Sequence, residues 1–236
     1  MPSRGTFLPG STSRGEDAAV LRSFFSDFET GEPLRNGVFL EIGGYDGFKE
    51  SNTYMMEGCL GCQGVLVEAQ PSSFKHLLMN RGSTLNINMA ACEDTRVLNF
   101  TSSIRTFAKI ADATVHQSHT VQVPCAPLGG VLASLGLTHL DFASIDVEGA
   151  ELAVLRSLVR SKVSLGVALV EVRGDGSRRA EMELLLAAGM SYAGQIASRG
   201  TIANDIINDA YVNFTHMQQR FPRSLPGGVR ARAGLF

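Results

Sequence analysis

The sequence predicts a doubly wound α/β fold: a mostly parallel sheet with helices on both faces, closed by an antiparallel strand pair near its C-terminal end. Strand and helix patterns alternate five times before that pair. The strand patterns are short continuous apolar runs, as expected of strands buried on both faces, and "VSLGVALVEV" (163–172) is the most apolar of them. With 236 residues, 44% of them apolar, the chain can build one large core.

The elements follow in order. Residues 1–16 are rich in Gly, Ser, Pro and Arg without a period and read as a loose arm, leaving 17–216 as the folded domain. "EDAAVLRSFFSDF" (16–28) repeats apolar residues at three- and four-residue steps through Ala18, Leu21, Phe24, Phe25 and Phe28, an amphipathic helix. Gly37–Ile42 is the first strand, "ESNTYMMEGC" a helix, and Gly64–Ala69 the second strand. Pro71 opens a helix through "PSSFKHLLMN", where its missing N–H costs nothing. "TLNINMAA" (84–91) is the third strand, and "RVLNFT" and "TVQVPC" are short strands or loop edges. Helix "LGGVLASLGL", strand "LDFASIDV", helix "GAELAVLRSLVRS", the apolar strand and helix "RRAEMELLLAAG" precede the pair "SYAGQIA" and "DAYVNF". From 217 the chain loses its period, and 217–236, with Arg220, Arg223, Arg230 and Arg232 and no acid, reads as a solvated basic tail.

A formal net charge of −2 provides no general attraction to nucleic acid or anionic membrane. No apolar run reaches the ~20 residues of a transmembrane span, and the opening "MPSRGTFLPG" lacks a secretory signal pattern, so the expectation is a soluble cytoplasmic protein. Cys59, Cys62, Cys92 and Cys125 are then expected as reduced thiols, and the sequons at Asn99 and Asn213 as chance matches. Nothing in the pattern specifies an oligomeric state.

In a doubly wound sheet, ligands sit beyond the C-terminal strand ends. There "VFLEIGGYDG" places Gly43, Gly44 and Gly47 around Tyr45 and Asp46, a turn that permits positive φ and close backbone approach. The bland alternative is a tight strand-to-helix turn with no ligand. Glu68, ending the second strand, suits ribose hydroxyls. The dinucleotide fingerprint G-x-G-x-x-G is missing, Tyr45 stands in place of its second glycine, and Glu41 brings negative charge near. A phosphate is poorly served there; a positively charged nucleoside without phosphate, such as S-adenosylmethionine, is well served. The rival readings are a nicotinamide-dependent oxidoreductase and a non-catalytic binding protein with the same pocket.

The blocks "VFLEIGGYDG…SNTY", "GVLVEAQPSSFKHLLMNR", "NMAACED" and "VPCAPLGGVLASLGLTHLDFASIDVEGAELAVL" resemble, in order and spacing, those of the FkbM-type methyltransferases. The likeness covers about Gly37 to Phe214. It implies a Rossmann-like class I fold and S-adenosylmethionine-dependent O-methylation of a small-molecule acceptor, a sugar or other polar metabolite. It implies that Glu41, Gly43, Gly44, Tyr45, Asp46 and Gly47 surround the methionine part of the cofactor. Ser51 and Asn52 would hold its carboxylate, Glu68 with Ala69 the ribose, and Ala90 and Ala91 would lie against adenine. "GGYDG" departs from the commoner "GANDG" at Gly44 and Tyr45.

The block "IDVEGAE" sets Asp146 at a strand end, Glu148 two residues on and Glu151 in the first turn of the next helix. In similar methyltransferases this edge faces the methyl group, so Asp146, also against the cofactor, and Glu148 are the candidate catalytic acids. Either can orient or deprotonate a hydroxyl. Glu151 is assigned to the helix macrodipole. A metal at Asp146, Glu148 and Glu171 is conceivable on ligand type, but no His–carboxylate spacing supports it and none is expected. Cys59-Leu-Gly-Cys62 lacks a second pair for zinc and does not precede a helix, so both are read as structural.

Overall fold

The structure, a computed structural model, describes residues 15–101, 120–172, 176–197 and 207–224. Its main sheet runs in the order β3 (Leu85–Ile87), β2 (Gln63–Val67), β1 (Val38–Ile42), β7 (His139–Ile145), β8 (Ser164–Val172), β10 (Ile207–Val212), β9 (Ser191–Ala197). Pairing is parallel from β3 through β8, and β10 runs antiparallel to both β8 and β9. The chain winds outward from β1 to β3 and then returns to the other side of β1 as β7. The order therefore reverses between β1 and β7, where a doubly wound sheet opens a crevice at its C-terminal edge.

Strand alternation divides the core between the two faces. Leu40 and Ile42 of β1 point into a cluster with Leu128 and Leu132 of α4 (Leu128–Ser134), Val154, Leu155 and Leu158 of α5 (Glu151–Arg160) and Leu185 of α6 (Arg178–Ala187). Phe39, just before Leu40, joins Val20, Leu21 and Phe24 of α1 (Glu16–Phe24), Met56 of α2 (Tyr54–Leu60), Leu77 of α3 (Pro71–Asn80) and Met217 of α7 (Phe214–Arg220) on the other face. Among the described residues no helix is long and apolar enough to cross a membrane.

At the N-terminal edge, Asp141 of β7 is fully buried and accepts hydrogen bonds from His216 and Arg220 of α7 and from the Val38 N–H. Burial alone would raise its carboxyl, but the His216, Arg220 and Val38 donors hold it down at about 2. This network clamps α7 under the sheet. The tail expected from 217 is therefore corrected: Met217 and Phe221 are core residues, and Arg220 is an anchor. At the other boundary, Glu16 belongs to α1 and accepts a hydrogen bond from the Asn208 amide. Residues 1–14, Arg230 and Arg232 lie outside the described residues.

Two further expectations change. The third strand is divided: after β3, Ala90–Ala91 form β4, which leaves the main sheet to pair parallel with β6 (Thr120–Ala126), itself antiparallel to β5 (Arg96–Thr101). This smaller sheet has its own small core of Ala90, Cys92, Phe100, Val123 and Cys125. There Cys92 and Cys125 form a disulfide, with Cα atoms 5.6 Å apart, and are not the reduced thiols expected. The pairing of β4 with β6 brings together two cysteines 33 residues apart, which no spacing rule announces. A loop of that size is worth roughly 3–4 kcal/mol on chain-entropy grounds, a large aid to so small a core.

Candidate functional site

The turn after β1 continues the sheet register beyond the strand. Gly43 and Gly44 donate to the Val67 carbonyl at 3.0 and 3.3 Å, and the Asp146 N–H donates to the Ile42 carbonyl at 3.2 Å. Asp146 thereby comes to lie beside Gly43, which has φ +84° and where a Cβ would collide with the Asp146 carbonyl oxygen. At Gly47, φ +74°, a Cβ would stand 2.7 Å from Cγ of Arg81. The chain itself requires glycine at 43 and 47, as the tight-turn alternative expects.

Beneath the turn lies a closed polar cage. Glu41 Oε2 accepts from the hydroxyls of Ser51 (2.7 Å) and Thr53 (2.6 Å), and Oε1 accepts from the Asn52 N–H (2.6 Å). Arg81, only 2% exposed, reaches in from the end of α3. It donates to the Gly47 carbonyl, Ser51 Oγ and Thr53 Oγ1, pairs with Glu57, and lies 4.0 Å from Glu41 and 5.5 Å from the Phe39 ring centroid. Burial pushes the Glu41 carboxyl up, against the stabilising donors Thr53 and Ser51 and the charge of Arg81. The same contacts explain why α2 starts at Tyr54 and not at Glu50, the start expected from sequence: Ser51–Thr53 are committed to Glu41. Glu41 and Ser51 thus support the turn from below.

Asn52 bridges to β7 through its amide nitrogen, 3.1 Å from Ser144 Oγ, while its Oδ1 is buried without a hydrogen-bond partner. An orphaned buried acceptor costs about 1–3 kcal/mol unless a donor reaches it.

On the upper side, Tyr45 adopts φ +47° and donates its N–H to Glu68 Oε2 at 2.9 Å, while the Gln70 N–H reaches Glu68 Oε1 at 2.7 Å. Burial pushes Glu68 up to about 7, against those two N–H groups. Asp46 accepts from the N–H groups of Phe48 and Lys49, fixing the turn's exit. Asn88 donates to the carbonyls of Glu68 and Ala69, holding the end of β2 near β4, where Ala90 is buried and Ala91 half-buried.

Across the β1/β7 crevice, Asp146 is exposed and Glu148 is half-buried with φ +58°. Glu151 is buried and accepts at 3.1 Å from the N–H groups of both Val147 and Gly149. It therefore builds the 147–149 turn as well as starting α5. Oxygens of Asp146, Glu151 and Glu171 lie within 4.8 Å of one another, so the acids brought together differ from the Asp146, Glu148, Glu171 grouping weighed from sequence. The sequence reading missed Arg81, Thr53, Gln70 and Ser144. Arg81 gave no signal, since a cation after a helix ordinarily faces water. Cys62 is buried and accepts from the Gly37 N–H, a structural role as read.

The family model "Methyltransferase FkbM domain" matches residues 41–194. No curated protein matches the chain in sequence. Among solved structures, the chain is similar to an O-methyltransferase from Bacillus cereus in complex with SAH (13% identity, 89% of this chain and 84% of that chain covered, TM-score 0.48). It is also similar to Aeropyrum pernix fibrillarin with natively bound S-adenosyl-L-methionine (14%, 76% and 67%, TM-score 0.47).

Proposed function

The chain belongs to the FkbM methyltransferase family, whose methyl donor is S-adenosylmethionine, and from that premise we propose that it methylates a hydroxyl oxygen on a sugar or other small polar molecule. When bound, the donor supplies an electrophilic methyl on a sulfonium. The observation that carries the reading is the placing of Glu68 and Asp146 at the C-terminal ends of the two strands that flank β1, one buried and hydrogen-bonded, the other exposed.

The residues present fit a donor of this kind. Glu68, with both oxygens already oriented by backbone N–H groups, accepts from ribose hydroxyls. Asn52 Oδ1, an acceptor in want of a donor, suits the ammonium better than the carboxylate assigned to it from sequence. The turn from Gly43 to Gly47 lines the methionine portion, and Ala69, Ala90 and Ala91 border the adenine. With the donor bound, Asp146 would take up the proton of the acceptor hydroxyl, with Glu148 two residues on in the same loop. A base so placed contributes about 10²–10⁴-fold, and the remaining acceleration comes from positioning.

Incubation with methyl-¹³C donor and a panel of sugars and other small polyols tests this. The expected product carries the label at the carbon shift of a methyl ether. Label on nitrogen or carbon, or none across the panel with the donor bound, contradicts the O-methylation reading.

A further inference from the structure

We propose that Asn99 is a site of N-linked glycosylation and that the chain matures in an oxidising compartment that attaches glycans. Two independent observations on the smaller sheet meet here. The first is the disulfide between Cys92 and Cys125, both buried, which staples β4 to β6. Disulfides of this structural kind persist where thiols are not continually reduced, in secretory and extracellular settings. The second is the sequon Asn99-Phe100-Thr101, which lies in β5, an edge strand of that same sheet among the described residues.

The register shows which way the sequon faces. Phe100 packs into the small core, so Asn99 belongs to the opposite face, with Val97 two residues back and the cross-strand partners Gln122 and Pro124. Asn99, Val97, Gln122 and Pro124 are all exposed, so a glycan there displaces no packed group. The second sequon is placed differently. Asn213 is half-buried, caps α7 by accepting from the His216 N–H, and follows the buried Val212. A glycan at Asn213 would intrude where α7 seats under the sheet.

The Asn99 amide nitrogen loses a proton and bonds to the anomeric carbon of a lipid-diphosphate-linked oligosaccharide, whose bond to the diphosphate breaks. Cys92 and Cys125 give up two protons and two electrons to a disulfide-bearing oxidant, which is reduced to its dithiol.

Peptide mass spectrometry on the full chain isolated from the cells that make it tests the proposal. Trypsin releases residues 97–105, bounded by Arg96 and Arg105. The expected result is glycan on that peptide, converted by peptide N-glycosidase in ¹⁸O-water to labelled aspartate, with Asn213 unmodified. Cys92 and Cys125 should alkylate only after reduction, and Asn99→Gln should abolish the enzyme-sensitive gel shift. A 97–105 peptide found only unmodified overturns the assignment, and so does alkylation of both cysteines without reduction.

Discussion

Glu41, in β1, and Glu68, one residue beyond β2, stand on neighbouring parallel strands, yet their surroundings differ. Glu41 is enclosed by side chains from the start of α2 and by Arg81 from the end of α3, so its oxygens are spent on holding the chain together. Glu68 is held by two backbone N–H groups, one from the glycine turn itself, and its carboxyl is poised at about 7. Carboxylates of the same type, one strand apart, divide into a foundation and, in the function proposed above, a contact surface. What separates them is that hydroxyls and a guanidinium join the one backbone N–H at Glu41, whereas the donors to Glu68 are two backbone N–H groups.

Breaking the foundation gives the largest effect. Arg81→Met strands Glu41 and Glu57 without their cation, and removal of one partner from a buried ionic network costs about 3–5 kcal/mol. Urea unfolding should show that loss, and Tyr45–Thr53 should lose hydrogen-exchange protection. A variant within about 1 kcal/mol of wild type would mean that the cage is not what fixes the turn.

The contact surface should respond in chemistry before stability. Asp146 is exposed, so Asp146→Asn should leave melting and donor affinity near wild type while cutting turnover by roughly 10²-fold or more. Glu151→Gln should do the reverse. Its buried carboxylate serves two backbone N–H groups, so the loss is about 1–2 kcal/mol of stability with turnover within a few-fold. Similar turnover losses in both variants would erase the distinction between base and turn-builder.

A smaller effect sharpens the comparison through pH. Burial raises Glu68 from 4.5 to about 7, so its neutral form favours the fold, fully below the ordinary value and progressively less as pH rises through 7. Hydroxyl donors on a bound ligand favour the carboxylate, so donor affinity should rise over that window, by up to about tenfold from pH 6 to 8. Glu68→Gln should flatten the dependence in calorimetric titrations, and a flat wild-type profile would place the ribose elsewhere.

The legible parts of this molecule were those in which one local pattern has one structural outcome. Apolar runs such as Val163–Val172 announced central strands, and the glycines announced the tight turn after β1. What escaped depended on contacts made across the sequence. Arg81 lies 40 residues from Glu41, and its burial follows from how α3 ends beneath the turn. The division of 84–91 between two sheets, and with it the Cys92–Cys125 bond, depends on β6, far along the chain. Met217 and Phe221 looked like the start of a tail because seven residues of α7 are too few to display a period, while the Asp141 anchor that holds them is in β7.

The claim that Glu68 offers the donor its contact at the strand edge is tested most directly by calorimetric titration of S-adenosylmethionine into wild type and Glu68→Ala at about pH 8. Loss of charge-assisted hydrogen bonds of roughly 1.5–3 kcal/mol predicts a ten- to hundred-fold weaker affinity in a variant that melts as a folded protein. Equal affinity in the folded variant would contradict the account.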